Sequence, residues 1–353
     1  MWKTYFLQSY FSYLTMPMKT HQINLHPVYP PDEIDALMSQ ITTSSAGVKE
    51  TLEKFGVAIV PAILNSEEID SMNSGMWDAL ETLTGNKIQR NDQSTWVHYL
   101  DLHPSLSMMI QHHGIGHAQY VWDLRSNPKI ASIFALLWDV EEKELLVSFD
   151  GVAIGMPPEV VKRGFYKGHY WLHSDQSPTR NSFECAQSWV TGFDVRQDDA
   201  TLIVLLGSHL HHGEYAQKYS ADSTKDEFQL TSDQVSFYVK EKNCKPVPIQ
   251  CPAGSIVLWD SRTIHHALQP LKTRARSIMR NVAYICMTPR KLAKAKDLDK
   301  KKKIFNAQRM TTHWPHRPKM FSKQQRLYSR KAPVVSPLPK PILNELGKSL
   351  AGF

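Results

Sequence analysis

The sequence has no hydrophobic run long enough to cross a membrane. Its most apolar segments, residues 130–138 and 201–206, stop well short of the roughly 18 residues that a spanning helix needs. We therefore expect a chain without a transmembrane span.

Cysteine is scarce, and acceptors for N-glycosylation are absent. The four cysteines form no Cys-x-x-Cys pair and show no zinc-finger spacing to two histidines, and no Asn-x-Ser/Thr triplet occurs. Both absences favour a reducing compartment. The sequence thus predicts an intracellular, cytoplasmic protein with free thiols.

Several catalytic signatures are also missing. There is no Gly-x-Ser-x-Gly nucleophile elbow, no Gly-x-x-x-x-Gly-Lys-Ser/Thr phosphate loop and no Gly-x-Gly-x-x-Gly dinucleotide motif. His173, Ser174 and Asp175 are consecutive, so they cannot form the hydrogen-bonded relay of a serine hydrolase. These absences argue against the corresponding nucleotide-binding and hydrolase classes.

Positive charge is in excess, and it is unevenly distributed. The net charge is +7, but residues 290–331 hold fifteen Lys and Arg against two Asp, which leaves the rest of the chain mildly acidic. A solvated basic tail is the favoured interpretation. A nucleic-acid contact made by this tail and its aromatic residues is the less favoured one.

The 353 residues have a globular composition, 42% hydrophobic and 21% charged, and they divide into a helical lead-in and a β-rich region. A strand is predicted over 57–60 and helices over 32–41, 48–55, 66–83 and 130–138, the third capped by Asn65 or Ser66. Short β-rich runs follow at 145–149, 152–154, 170–173, 188–193, 201–206, 255–259 and 277–287.

This pattern predicts a mainly β fold with flanking α-helices, as a sandwich or barrel. A polar, partly helical insertion is expected at 215–242. We expect an N-terminal extension at 1–45, a core domain with its helical lead-in at 46–290 and a basic C-terminal extension at 291–353.

The strongest local signal is Trp171-Leu172-His173-Ser174-Asp175. Side chains alternate along a strand, so His173 and Asp175 project to the same side and face one point. A His-x-Asp pair by itself is common, and it also fits a strand-end histidine hydrogen-bonded to a nearby carboxylate.

A second segment supplies a further histidine. A Pro-Ala-Gly turn at 252–254 leads into the apolar run 255–259, and His265 and His266 follow a tight polar turn. Only one of two adjacent histidines on a strand can face a given point. Two histidines and one carboxylate on one face of a metal leave the other positions open, as in non-haem Fe(II) oxygenases.

Together these segments resemble the phytanoyl-CoA dioxygenase-like branch of the Fe(II)/2-oxoglutarate-dependent oxygenases, over residues 145–290. His173 and Asp175 match the family's His-x-Asp, residues 207–209 its Gly-Ser-His and His265 its distal histidine. The resemblance implies a double-stranded β-helix (jelly roll) core. It also implies that His173, Asp175 and His265 bind Fe(II), with 2-oxoglutarate and O2 as cosubstrates.

The resemblance further implies an arginine that anchors the far carboxylate of 2-oxoglutarate, because a guanidinium fork binds carboxylates bidentately. Arg276 and Arg280 share the same strand parity, so both are candidates. We prefer Arg280, which an apolar run follows.

The activity implied is a dioxygenase that hydroxylates, or otherwise oxidises a C–H bond of, a small organic or lipid-like molecule and releases succinate and CO2. The alternatives are a jelly-roll binding protein without catalysis and a nucleic-acid-directed oxygenase that uses the basic tail. The sequence does not indicate the substrate or the oligomeric state.

Other histidines and tryptophans are assigned structural roles. Gly114 and Gly116 break the helix that would align His113 with His117, so no metal is expected there. A hydrogen-bonded loop, rather than the substrate mouth, is the expected place of His209, His211 and His212. The core is the expected place of Trp171, Trp189 and Trp259.

Overall fold

Antiparallel strands dominate the computed structural model, which describes residues 23–25, 27–221, 225–322 and 331–353. Residues 1–22 of the predicted N-terminal extension therefore lie outside the described residues. The strands are β1 (Val57–Val60), β2 (Met109–Ile110), β3 (Leu145–Val147), β4 (Val152–Gly155), β5 (His173–Ser174), β6 (Ala186–Thr191), β7 (Thr201–Leu205), β8 (Phe228–Gln229), β9 (Pro246–Pro248), β10 (Ile256–Asp260), β11 (His265–Leu268), β12 (Arg280–Tyr284) and β13 (Met287–Pro289).

The strands form two main sheets whose paired strands are all antiparallel. One sheet has the order β1-β10-β6-β12-β4-β2, the other has the order β8-β5-β11-β7-β9, and β13 pairs separately with β3. This architecture confirms the predicted mainly β fold with a double-stranded β-helix core and flanking helices.

Helices pack against one face of the larger sheet, and the other face packs against the smaller sheet. The α-helices are α1 (Pro31–Ile41), α2 (Val48–Phe55), α3 (Ser66–Thr84), α4 (Gln119–Arg125), α5 (Pro128–Trp138), α6 (Pro158–Val161), α7 (His212–Lys218), α8 (Ser232–Ser236), α9 (Ala295–Asn306) and α10 (Glu345–Ala351). Short 3-10 helices lie at Ser45–Gly47, Gln93–Leu102, Ile115–His117, Glu142–Glu144, Ser208–His211 and Arg290–Leu292, and a π turn lies at Phe237–Glu241.

The helices predicted at 32–41, 48–55 and 66–83 and the strand predicted at 57–60 are confirmed as α1, α2, α3 and β1. The Asn65 side chain accepts a hydrogen bond from the Glu68 amide, and the Glu68 carboxylate accepts one from the Asn65 amide. This reciprocal pair satisfies two amides that the first turn of α3 would otherwise leave without partners.

Strand alternation divides the core into two parts. On β10, Ile256 and Leu258 pack among the helices, while Val257 and Trp259 pack between the two sheets. Both faces of β10 are therefore buried, which explains its continuous apolar sequence. The turn before it requires Gly254, whose φ is +76° and where a Cβ would lie 2.7 Å from the Leu64 carbonyl oxygen.

The predicted single strand at 277–287 is wrong. Residues 280–284 pair with β4 and β6, whereas residues 287–289 pair with β3 in a separate small sheet. The run at 170–173 is likewise shorter than predicted, because only its last residue belongs to β5.

The insertion predicted as polar contains its own small core. Tyr215, Phe237 and Tyr238 are buried and pack together, with Leu172 and Ile264 from the β-region beneath them. The sequence between residues 215 and 242 is polar on average, but the Tyr215 ring contacts those of Phe237 and Tyr238, with centroids 6.2 and 5.5 Å apart.

The described part of the C-terminal region packs against the body. The Thr311 amide donates to the Phe149 carbonyl at 2.9 Å. The lysine run at 300–303 was expected to be solvated, which is wrong for Lys301: it is 1% exposed, and its Nζ donates to the Val147 carbonyl. None of the helices in the described ranges is long and apolar enough to span a bilayer.

Candidate active site

The smaller sheet brings His173 and His265 together although they are 92 positions apart in the sequence. His265 on β11 is the register partner of His173 on β5. Asp175 follows β5, and its amide donates to the Ser261 carbonyl at 3.0 Å. Strand pairing thus positions all three predicted ligand residues at one end of the sheet.

The three side chains converge on one point. The Nε2 atom of His173 lies 3.6 Å from Asp175 Oδ1, and the Nε2 atom of His265 lies 3.3 Å from Asp175 Oδ2. One ligand atom from each residue lies within 4.8 Å of the other two, and the imidazole centroids are 4.3 Å apart. Among the described residues, this is the one His/Cys/Asp/Glu cluster with metal-ligand geometry.

Hydrogen bonds to the backbone orient both imidazoles. His173 Nδ1 donates to the Trp171 carbonyl at 2.9 Å, and His265 Nδ1 donates to the Thr263 carbonyl at 2.9 Å. A carbonyl oxygen only accepts, so each ring carries a proton on Nδ1, and Nε2 is the nitrogen that faces Asp175. This is the tautomer that metal-binding histidines adopt.

A neighbouring amide holds the carboxylate. Gln187 on β6 donates from Nε2 to Asp175 Oδ2 at 2.8 Å. This contact leaves the other oxygen, Oδ1, directed toward His173. Donors that fix a ligating carboxylate in this way are typical of metal sites.

Burial and mutual contact set the protonation states of the triad. Burial, together with the nearby His265, lowers the pKa of His173 to about 4. Burial would raise the pKa of Asp175, but His173 and His265 outweigh it and hold the pKa well below the usual range. Neutral imidazole and ionised carboxylate are the forms that bind a divalent metal.

The triad lines a cavity of about 240 Å3. Trp171 was expected in the core, which is wrong: it is 37% exposed at the cavity wall and stacks on His173 with ring centroids 4.1 Å apart. Trp189 and Trp259 are buried, as expected, and they also line this cavity.

The structure separates the two candidate arginines. Arg280 begins β12, is buried and lines the cavity, with Nη1 donating to the Ala200 carbonyl at 2.6 Å. Across the described ranges no carboxylate lies within ion-pair distance of its guanidinium, and its Nε has no partner. Arg276 precedes β12, does not line the cavity and contacts Asp194 and Asp199 at 3.6 and 3.5 Å.

Part of the cavity wall comes from regions in which sequence reasoning placed no site residues. The insertion contributes Asp226 and Glu227, and the C-terminal region contributes Thr312, His313, Trp314, Lys319 and Phe321. The aromatic and proline content of residues 309–317 indicated that this segment packs on the body. Nothing in its pattern indicated that it packs over the triad.

His117, His209, His211 and His212 lie outside the cavity. His209 Nε2 contacts the Glu53 carbonyl at 3.0 Å, and His212 Nε2 contacts the Ser177 carbonyl at 3.0 Å. His117 is buried among aromatic side chains and contacts the Arg309 carbonyl at 2.9 Å.

Comparisons with known proteins agree with this geometry. The family model described as phytanoyl-CoA dioxygenase (PhyH) matches residues 166–277. The Ava biosynthesis cluster protein O of Aspergillus versicolor is 30% identical over 234 residues, which are 64% of this chain and 72% of that protein.

Solved structures share the fold at low sequence identity. Hypothetical protein JW0805 of Escherichia coli superposes with a TM-score of 0.57 at 14% identity, covering 91% of this chain and 89% of its own. GIG2 (DUF1479) of Candida albicans superposes with a TM-score of 0.51 at 14% identity, covering 78% and 74%. The family match and the Aspergillus relative, taken with the His-Asp-His cluster, show that the chain belongs to the phytanoyl-CoA dioxygenase (PhyH) family of 2-oxoglutarate-dependent non-haem iron enzymes.

Proposed function

We propose that this protein is a dioxygenase that oxidises a C–H bond of a small organic or lipid-like molecule, with release of succinate and CO2. His173, Asp175 and His265 hold Fe(II). The observation that carries the proposal is that two Nδ1-protonated imidazoles and one carboxylate converge within 4.8 Å in a cavity.

The donor set fits iron. Two imidazole nitrogens and a carboxylate oxygen on one side of an ion form the facial triad of non-haem Fe(II) oxygenases. Gln187 holds the carboxylate, and the β5–β11 register holds the imidazoles. When bound, the ion and 2-oxoglutarate supply the activation of O2, and the chain supplies orientation and electrostatics.

Arg280 fits the far carboxylate of 2-oxoglutarate. A buried guanidinium without a counter-charge is costly, and a dicarboxylate that enters the cavity would relieve that cost. Its Nε and the nearby indole Nε1 of Trp189 both lack partners in the described structure, and the guanidinium lies 5.4 Å from the Trp189 ring centroid. These two groups therefore offer donors to a carboxylate at that end of the cavity.

Two measurements test this function. Anaerobic addition of Fe(II) and 2-oxoglutarate is expected to produce a visible charge-transfer band, and admission of O2 is expected to release succinate even without added substrate. Asp175→Ala should abolish both signals, because it removes the anionic ligand. His98→Gln, which changes an exposed histidine outside the cavity, is the matched control. A band and succinate formation that persist in Asp175→Ala would overturn the assignment.

A further inference from the structure

The apolar part of the cavity wall is mainly aromatic. Aliphatic contributions are confined to Leu106, Met109, Leu202 and Ala267, whereas the aromatic side chains are Trp171, Trp189, Trp259, Tyr284, Trp314 and Phe321. Ring faces pack well against planar rings, and their negative quadrupole attracts cations. A wall for a long acyl chain needs no such concentration of indole rings.

A buried carboxylate in this cavity has no direct ion-pair partner among the described residues, although Arg125 and His313 lie near enough to act on it electrostatically. Asp150 lines the cavity, is 8% exposed and accepts a hydrogen bond from the Gly151 amide at 2.7 Å. The neighbouring Arg125 binds the backbone carbonyl of Asp150 rather than its side chain. In the described ranges no Lys, Arg or His forms an ion pair with the Asp150 carboxylate.

The mouth adds further negative charge. Glu227 lines it, is exposed and makes no direct ion pair with any described residue, although Lys319 and Lys225 lie near enough to act on its carboxylate electrostatically. The neighbouring Asp226 is shared by two arginines, Arg180 and Arg317, which also contact Glu184. Those guanidiniums are therefore already engaged.

Basic groups that could bind phosphate are few at this mouth. Lys319 is the one lysine of the described lining, and Arg280 lies in the interior. A nucleotide-containing thioester carries several phosphate charges, and proteins bind such groups with clusters of free Arg and Lys. The described mouth holds one lysine in its lining, and the two arginines beside it are already paired with carboxylates, so it offers no cluster of free cations for such a ligand.

We propose that the substrate is an aromatic molecule with a cationic group, such as a protonated amine, and that Asp150 and Glu227 receive this group while the ring packs against the tryptophans. The proposal rests on the proposed function, since it assigns the substrate class of the same site. It excludes acyl-CoA esters and fatty acids as the preferred ligands.

Three matched probes test the charge preference. Phenethylamine, 2-phenylethanol and 3-phenylpropionate share a ring and a two-carbon linker and differ in charge. Their binding to the full chain, loaded anaerobically with Fe(II) and 2-oxoglutarate, is measured by quenching of tryptophan fluorescence, to which the phenyl probes contribute little. Phenethylamine is expected to bind about tenfold more tightly than 3-phenylpropionate, with 2-phenylethanol between them.

Variants of Asp150 and Glu227 test whether these carboxylates cause the preference for the cationic probe. Asp150→Asn keeps an oxygen for the Gly151 amide and is expected to reduce the preference for phenethylamine to about threefold or less. Glu227→Gln changes an exposed residue, which the fold should tolerate, and it is expected to reduce the preference partially. Glu67→Gln on α3 is the matched control, because Glu67 is exposed and distant from the cavity. The control should leave the preference unchanged.

Three outcomes would overturn the proposal: equal or tighter binding of 3-phenylpropionate, tighter binding of coenzyme A or palmitate than of phenethylamine, or an unchanged preference in both cavity variants. Octylamine carries the cationic group without a ring. If octylamine binds as tightly as phenethylamine, the inference that the substrate is aromatic is overturned. If the proposed function itself fails, Fe(II) and 2-oxoglutarate produce no charge-transfer band. The probe-binding measurements read tryptophan fluorescence instead, so the two failures are distinguishable.

Discussion

His173 and His265 face one another across antiparallel strands, and each donates its Nδ1 proton to the carbonyl oxygen two residues before it. The acceptors are the carbonyls of Trp171 and Thr263, both at 2.9 Å. Each imidazole is thus oriented by the backbone of its own segment. The carboxylate of Asp175, in contrast, depends on a side chain, Gln187, for its orientation.

Removal of the Gln187 amide should weaken iron binding. Gln187→Ala deletes the donor to Asp175 Oδ2, which lets the carboxylate rotate away from the imidazoles. We expect an Fe(II) affinity about 10–100-fold lower, measured by anaerobic titration. Gln119→Ala on α4 removes an amide that donates to Asp123 far from the cavity, and it should have no effect. Equal affinities in wild type and Gln187→Ala would show that the backbone alone positions Asp175.

The choice between the two arginines can be measured directly. Arg280→Lys keeps the charge but loses the planar fork, so the KM for 2-oxoglutarate should rise by about tenfold or more in the succinate assay. Arg276→Lys should change KM by less than about twofold, because its guanidinium is engaged with Asp194 and Asp199 outside the cavity. The opposite ranking would assign the anchor to Arg276.

Short-range pattern was enough to pair His173 with Asp175 and to predict the start of α3, whereas the choice of His265 came from the family resemblance. Parity placed His173 and Asp175 on one side of a strand, and capping chemistry at Asn65 located the start of α3. Both features depend on residues a few positions apart, for which dihedral preferences and hydrogen-bond geometry are local.

The cavity walls could not be predicted in the same way. Trp314 and Phe321 reach the cavity from beyond the last strand, through contacts that have no period in the sequence. Of the four consecutive lysines at 300–303, Lys301 is the buried one, because helix geometry places it on the same face as the buried Ile304. Which face of α9 meets the body is decided by tertiary packing, which the sequence does not show.

Lys301 should make stability depend on pH. Its Nζ lies 3.8 Å from the Phe149 ring centroid, and burial, with Arg125 and Arg290 adding to it, lowers its pKa well below 10.5. The unfolded chain therefore binds a proton that the folded chain lacks between the folded pKa and 10.5, so the free energy of unfolding rises with pH across that window. The slope is at most about 1.4 kcal/mol per pH unit.

Lys301→Met removes this titration. We expect urea denaturation from pH 7 to 10 to show wild type gaining stability relative to Lys301→Met as the pH rises. Lys300→Met changes an exposed lysine of α9 and should follow wild type at every pH. Parallel curves for wild type and Lys301→Met would mean that the Lys301 amine has the same pKa in the folded and unfolded chains.

Trp314 is held over the cavity by a four-residue ion-pair cluster. The Arg317 and Arg180 guanidiniums lie 3.9 and 5.5 Å from its ring centroid, and the cluster is completed by Glu184 and Asp226. The cluster joins the segment after β5, the insertion and the C-terminal wall. Its groups are partly exposed, so we expect Arg317→Met to cost only about 0.5–1 kcal/mol in global stability.

Arg317→Met should destabilise residues 312–321 locally more than it lowers the global free energy of unfolding. Without the Arg317 contacts, the amides of residues 312–321 should exchange hydrogen faster, while those of β6 and β10 stay protected, because the strands keep their pairing. Lys319→Met lies in the same segment, is exposed and makes no ion pair with any described residue, so it controls for lost charge. Hydrogen exchange read by mass spectrometry on peptides covering 312–321 distinguishes loss of the Arg317 contacts from loss of a positive charge alone. Equal exchange in Arg317→Met and Lys319→Met would show that the segment is held by apolar packing of Trp314 against Cys185 and Cys286 alone.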